Sequence, residues 1–382
     1  MDETLIDDET LSLSRRSVLP GQGFFYPDEF EEAAADAEAE EALAGASVAV
    51  IADPDADGLA CVAILRELYG EVVLLPTSPH EIEDSLARVA EYGEPNLQLF
   101  VCDLCPDRYE YVDEELEAAV YVADSVRWFD HHQWDDDVAA AVREAGAELV
   151  VGDSDEECTA DVAVRALEEE IPRHLVELAA VTRDHDLWIR EDPRSDDLAD
   201  FSYWSEPEEY VEVVIEHGPD LPEEVLDYLA ERRVEKEALI DLAVERGETR
   251  EIGPWTVGVT YGRCSQNEVA EAMRERGADA SVIVKPAGSA SIRGSDAFER
   301  CHEVASQVGG GGHPKAAGCK PDVYDDMLDY AHHWTTRGAV TKQVILDAFR
   351  TLAPEETEGA DEEAKSREPE ETDSAPDSEA ED

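Results

Sequence analysis

The 382-residue chain carries 95 acidic against 30 basic residues, a formal net charge of −65, and 43% of its residues are hydrophobic. That length supports two domains with a sizeable core, and no run of about 18 apolar residues is present to form a membrane span. Only six of the basic residues are Lys, and this acid excess with little lysine is the composition expected of adaptation to a salt-saturated cytoplasm, as in extreme halophiles.

Self-repulsion on this scale destabilises a compact state in dilute buffer. At molar salt the screening length falls to about 3 Å and the penalty largely vanishes. Counterion release is weak there too. A missing basic patch is therefore poor grounds for excluding a nucleic-acid substrate. Ser14-Arg15-Arg16-Ser17 resembles a twin-arginine signal, but Pro20–Asp28 is no hydrophobic region, so a cytoplasmic location is expected. Seven scattered Cys include one CxxC pair, Cys102 and Cys105. With no second pair, they read as reduced, buried thiols rather than a zinc or redox site.

In chain order, residues 1–46 form an acidic N-terminal extension whose Glu29–Ala46 stretch has helical composition. Ser47–Ala52 is a buried strand, followed by a helix over Leu59–Tyr69 and a strand over Glu71–Pro76. A helix over His80–Tyr92 leads to a strand over Leu97–Cys102. Further strands are expected at Ala119–Ala123, Val126–Phe129 and Glu148–Val151. Helices are expected at Ala139–Ala145, Ala160–Glu169 and His174–Thr182. This alternation over 47–190 implies a mainly parallel sheet with helices on both faces. Residues 191–249 read as a connector: Glu191–Glu206 is rich in Asp, Pro and Ser, and charged helices follow at Glu208–His217 and Pro222–Glu245.

Residues 250–352 form a smaller α/β unit. It begins with a strand at Trp255–Tyr261 and a capping box, Ser265-Gln266-Asn267-Glu268, that opens a helix to about Arg276. A hairpin over Ala280–Lys285 and Ser289–Arg293 turns at Pro286-Ala287-Gly288. A helix at Phe298–Val308 precedes the glycine run Gly309–Gly312, and a long helix starts near Tyr324. Residues 353–382 have the composition of a disordered acidic tail.

Three apolar strands end in acid: at Asp53-Pro54-Asp55-Ala56-Asp57-Gly58, at Asp103, and at Asp130-His131-His132. In an open α/β sheet, groups beyond the strand C-termini converge on one crevice. Crowded carboxylates raise one another's pKa unless cations neutralise them. Two divalent ions are the simplest resolution. Imidazole beside carboxylate suits Mn²⁺-, Co²⁺- or Zn²⁺-like ions better than Ca²⁺. Each piece alone could be a solvated acidic loop or a structural histidine; their order is the signal. Asp184-His185-Asp186 offers a further carboxylate. Gly309–Gly312 before His313 lets backbone approach a ligand and expose N–H groups to phosphate. Arg293 ends a strand nearby and could clamp phosphate.

Together these residues resemble the DHH phosphoesterase family with its DHH-associated substrate domain, over residues 47–351. The Asp-x-Asp-x-Asp-Gly form resembles the RecJ branch; Ile51 stands where nano-RNases carry His. The resemblance implies two Mn²⁺ (or Mg²⁺) ions held by Asp53, Asp55, Asp57, Asp103, His131 and Asp184, with Asp103 bridging and Asp186 a less favoured substitute for Asp184. It implies that His132 orients the scissile phosphate, with Asp130 as a second catalytic residue. Arg293, Gly310, Gly311, Gly312 and His313 would grip substrate from the second lobe. The implied activity is two-metal hydrolysis of single-stranded DNA or RNA from an end, with replication or repair proteins as candidate partners. Little room remains for the added oligonucleotide-binding barrel of bacterial RecJ. Hydrolysis of short oligonucleotides or small nucleotides is one alternative, and a non-catalytic replisome scaffold another.

Overall fold

The structure, a computed structural model, describes residues 28–79, 81–324 and 327–354. The twin-arginine lookalike, His80 and most of the acidic tail lie outside them. A first helix, α1 (Asp28–Leu43), precedes β1 (Val48–Ala52), α2 (Ala56–Tyr69), β2 (Val73–Pro76), α3 (Ile82–Tyr92) and β3 (Gln98–Cys102). Then come α4 (Asp113–Val122), β4 (Ser125–Asp130), α5 (Asp136–Ala145) and β5 (Glu148–Val151). The five strands form one sheet in the order β2-β1-β3-β4-β5, every pair parallel.

Side-chain alternation explains why these strands are apolar throughout. Val48, Val50 and Ala52 pack into one core with Phe100 and Phe129, while Ala49 and Ile51 pack into another with Leu99, Val101 and Trp128. A sheet covered on both faces has no wet side to mark with polar residues. The first core is closed by α2 with α6 (Thr159–Ala166), α7 (Arg173–Asp186), α8 (Pro193–Trp204) and α9 (Pro207–His217). The second is closed by α1, α3, α4 and α5.

Register sets the site. Ala52 pairs with Cys102, and Cys102 with Phe129. The residues one step beyond each strand therefore sit level. Asp53 N donates to Cys102 O at 3.4 Å and Asp103 N to Phe129 O at 3.0 Å. The chain leaves β1 towards β2 on one side and reaches β3 on the other, so β1 and β3 flank the switch point where such sheets bind ligands.

One expectation for this part of the chain fails. Ala119–Ala123 is not a strand; it is largely the last turns of α4, with Ala119 buried. A short apolar run does not distinguish the two states, and the preceding Asp113-Glu114-Glu115 favours a helix start. Glu191–Glu206, read as part of the connector with no element assigned to it, holds α8: Asp192 caps it and Pro193 occupies its first turn. Leu198 and Phe201 of α8 enter the first core, as do Tyr210, Val211 and Val214 of α9. α10 (Glu223–Glu245) follows, contributing Leu229.

The chain divides into two compact units, one reaching to Glu245 and including Tyr261–Val269 and Lys285–Ser289, the other holding most of the remainder. The second is built on a six-stranded sheet, in the order β10-β11-β9-β8-β7-β6. Its members are β6 (Glu248–Ile252), β7 (Trp255–Tyr261), β8 (Ala280–Val284), β9 (Ala290–Gly294), β10 (Gly310–Gly312) and β11 (Ala316–Cys319). The hairpin of β8 and β9 closes through Lys285 N to Ser289 O at 2.8 Å. Helices α11 (Gln266–Glu275), α12 (Cys301–Ser306), α13 (Met327–Thr336) and α14 (Ala339–Leu352) complete the chain.

The expected single C-terminal helix is two, because Arg337 and Gly338 take φ +54° and +69°. The expected helix over Phe298–Val308 shrinks to Cys301–Ser306. The glycine run is a sheet edge rather than a loop. A Cβ at Gly310 would lie 2.1 Å from Gly318 O, and one at Gly312 2.7 Å from Ala316 O. Glycine here permits close strand pairing.

Candidate metal centre

The three strand ends converge as the sheet requires. Asp57 opens α2, whose N-cap is Asp55: its Oδ1 accepts from Asp57 N at 2.9 Å and Gly58 N at 3.1 Å. Gly58 allows the turn, since a Cβ there would fall 2.2 Å from Asp53 O. The buried Asp57 carboxylate is held by the start of α6, accepting from Thr159 N at 2.6 Å and Ala160 N at 2.8 Å. Helix N-termini stabilise negative charge in this way. Asp103, buried and at φ +61°, accepts from Thr159 Oγ1 at 2.9 Å.

His131 stands among these acids. Its Nε2 lies 3.3 Å from Asp186 Oδ2, 3.8 Å from Asp103 Oδ1 and 4.0 Å from Asp57 Oδ2. Its buried Nδ1 has no hydrogen-bond partner. Two triads of potential ligand atoms share it: Asp57, His131 and Asp186, and Asp103, His131 and His132, each with its atoms within 4.8 Å of one another.

Asp130 and His132 form a separate pair. His132 Nδ1 donates to Asp130 Oδ1 at 2.8 Å, and Trp134 Nε1 donates to Asp130 Oδ2 at 2.6 Å. Trp134 is fixed edge-on against Trp128, with ring centroids 5.5 Å apart.

The electrostatics separate the two groups. Burial, and then neighbouring acids, pushes Asp103 and Asp186 well above the usual carboxylate range. Asp57 is raised by burial against the pull of His131, and Asp53 is raised to about 8 by burial and Asp55. At Asp130 burial acts upward, but the His132 charge and the two hydrogen bonds outweigh it and lower the pKa. At His132 burial acts downward, yet Asp130 outweighs it and raises the imidazole to about 9. Asp130 and His132 are thus an ion pair at neutral pH. The other four carboxylates form a crowded, desolvated set whose charge calls for a cation. Among the described residues, Asp57, Asp103 and Asp186 have His131 and His132 nitrogens within 4.0 Å and form no ion pair with Lys or Arg. Carboxylate oxygens with imidazole nitrogen are a donor set that fits divalent transition ions.

The structure sets Asp184 and Asp186 apart. Asp184 turns into the protein: Oδ1 accepts from Glu191 N at 3.0 Å, and Oδ2 from Asp192 N at 3.1 Å and Ser195 Oγ at 2.8 Å. It ties the end of α7 to the start of α8. Asp186, two residues on, faces His131. Asp55 uses one of its oxygens, Oδ1, to cap α2. Thr159, Ala160 and Trp134 were not anticipated. The only sequence sign of the first two was that a helix begins near Ala160.

The other residues singled out lie in the second unit. Arg293, half-buried on β9, donates from Nη1 to Ile292 O at 3.2 Å and Ala317 O at 3.4 Å, and its burial lowers its pKa. Gly310, Gly311 and Gly312 form β10, and His313 N donates to Ala316 O at 2.7 Å. Cys102 ends β3 in the core, Cys105 is partly exposed, and both are free thiols.

No family model matches the sequence, and no curated protein matches it. Solved structures do. An exonuclease RecJ bound to manganese is 17% identical, with a TM-score of 0.50, over 85% of this chain and 96% of that one. RecJ from Thermus thermophilus in complex with Mn²⁺ is 18% identical, with a TM-score of 0.53, over 88% of this chain and 56% of that one. The DHH domain of a protein described as belonging to a family of ribosomal proteins is 14% identical, with a TM-score of 0.56, over 88% of this chain and 95% of that one. At these identities the likeness is one of fold: the chain has the two-domain DHH architecture seen in RecJ.

Proposed function

We propose that the chain is a metal-dependent phosphodiesterase that hydrolyses single-stranded nucleic acid from an end. One observation carries this reading. Asp57, Asp103 and Asp186, brought from three separate segments, lie within 4.0 Å of a single His131 nitrogen, with no Lys or Arg among the described residues to neutralise them. Asp53, Asp55, Asp57, Asp103, His131 and Asp186 are the residues that would hold two divalent ions, Mn²⁺ first and Mg²⁺ or Co²⁺ as alternatives. Ions bound there would supply Lewis acidity and a water acidic enough to ionise near neutral pH. The manganese and Mn²⁺ named for the two RecJ neighbours support that choice.

The protein's own groups have distinct tasks. The N-terminus of α6 holds Asp57, and Thr159 holds Asp103, so neither carboxylate needs to reorganise. Outer partners of this kind fix ligand orientation. Asp130 keeps His132 cationic and fixed, so that it can bind a phosphoryl oxygen as negative charge develops. On the second unit, Arg293, Gly310, Gly311, Gly312 and His313 are proposed to bind substrate phosphates. The acid-rich, lysine-poor composition supports a salt-rich working medium. The RecJ-like fold supports nucleic acid as substrate and leaves replication or repair proteins as candidate partners.

The test is purified protein in molar KCl with Mn²⁺, offered end-labelled DNA and RNA strands and di- to pentanucleotides side by side. Stepwise loss of nucleotides from a long strand supports the reading. Cleavage confined to the shortest oligomers shifts it to a nano-RNase. No hydrolysis of any phosphodiester would overturn it.

A further inference from the structure

We propose that the cleft beside Asp57 and Asp186 is a nucleoside subsite in which Tyr203 stacks on a base. The inference deepens the phosphodiesterase reading and rests on it. The cleft has a volume of about 190 Å³. Asp57 and Asp186 line one part of it, and Thr182, Ser202 and Tyr203 line others.

Three observations specify the occupant. The first is the aromatic ring. Tyr203 is 53% exposed in a chain that buries most of its large apolar side chains. It is set edge-on to Trp204 at 6.1 Å and 72°, and Trp204 packs against the first core. A ring so placed is a platform for a planar group.

The second is an unmet polar atom. Thr182 is 1% exposed, and its Oγ1 has no hydrogen-bond partner. Leaving a buried hydroxyl unpaired is costly, so a ligand that bonds to it gains by doing so. Thr182 precedes Asp186 by one helical turn on α7 and therefore shares its face.

The third is charge. The lining holds neither Lys nor Arg. Beyond ions held at Asp57 and Asp186, a polyphosphate chain would meet no Lys or Arg to neutralise it. A neutral, flat group with polar edges, joined to one phosphate at the carboxylate end, fits this lining. A nucleoside has that chemistry. Stacking also survives molar salt, where long-range electrostatic attraction is screened.

The test compares thymidine 5′-monophosphate with methyl phosphate by calorimetry, on the full chain in molar KCl with Mn²⁺. The unaltered protein should prefer the nucleotide about 5- to 150-fold, the range of one base–aromatic stack. Tyr203→Ala should remove most of that preference and Tyr203→Phe should keep it. Thr182→Val, close in volume, should lower it about 2- to 12-fold. Equal affinities in the unaltered protein, or an unchanged ratio in Tyr203→Ala, would overturn the subsite. Should Tyr203→Ala fail to fold, tryptophan emission of the unaltered chain gives the answer: quenching by the nucleotide but not by methyl phosphate supports the subsite, and no difference refutes it. A protein that cuts strands but shows no base preference retains the phosphodiesterase reading and loses the subsite. One that binds the nucleotide through Tyr203 but hydrolyses nothing does the reverse.

Discussion

Asp184 and Asp186 are two residues apart in one acidic stretch, and the structure gives them opposite tasks. Replacing each by Asn separates those tasks. The Asp184 carboxylate accepts from Glu191 N, Asp192 N and Ser195 Oγ at 2.8–3.1 Å. An amide can keep only one of its two oxygens as an acceptor. One or two bonds to a charged acceptor are lost, each worth about 1.5–3 kcal/mol. A cost of about 3 kcal/mol lowers the melting temperature by roughly 6–12 °C for a unit of this size. Asp184→Asn should show that drop without metal and still be stabilised by Mn²⁺. Asp186→Asn removes a carboxylate that burial and like charges disfavour. Its metal-free melting temperature should equal or exceed that of the unaltered chain. In the unaltered chain, Mn²⁺ at about 100 times its dissociation constant stabilises by about 2.7 kcal/mol, or roughly 5–11 °C. Asp186→Asn should lose most of that gain. Differential scanning fluorimetry in molar KCl measures both. A full Mn²⁺ response in Asp186→Asn, or its loss in Asp184→Asn with unchanged metal-free stability, would refute the assignment.

Thr159→Val removes the hydroxyl on Asp103 while keeping the backbone donor to Asp57; Mn²⁺ affinity by calorimetry should fall about 10- to 100-fold, and an unchanged affinity would exclude Thr159 as a positioning residue. The pH dependence has a definite sign. Asp53 titrates near 8 in the fold against 3.8 when unperturbed, so the metal-free fold loses stability as pH rises between those values. The Mn²⁺-induced rise in melting temperature should therefore grow from about pH 4 to about pH 8; a gain independent of pH contradicts the crowded-carboxylate account. With a net charge of −65, the metal-free melting temperature should climb steadily as KCl goes from about 0.1 M to molar levels and the screening length shortens from about 10 Å to about 3 Å. A flat profile would remove the salt-adaptation reading.

The parallel sheet was legible because both its faces are buried: Val48–Ala52 and Gln98–Cys102 are apolar almost without alternation, and each is followed at once by an acid. The same pattern drew attention to Asp53, Asp57, Asp103 and His131, and the structure sets Asp57 and Asp103 around the His131 imidazole. What was not legible depends on direction rather than residue type. Asp184 and Asp186 are chemically identical, and only the turn from α7 into α8 shows that one points at Ser195 and the other at His131. Thr159 reaches Asp103 across 56 positions of chain, a separation no local pattern encodes. The glycine run was read as a place of close backbone approach, and glycine serves close approach of any kind. The backbone it approaches here is that of β11. α8 was missed because its buried Leu198 and Phe201 are outnumbered by Asp, Pro and Ser, and its packing against the first core outweighs that weak local preference.

The central claim is a two-ion centre built on His131, and anomalous scattering from crystals grown with Mn²⁺ tests it most directly. Two manganese peaks enclosed by Asp53, Asp55, Asp57, Asp103, His131 and Asp186 are the predicted result. Manganese located elsewhere, or an imidazole of His131 turned away from those carboxylates, would contradict it.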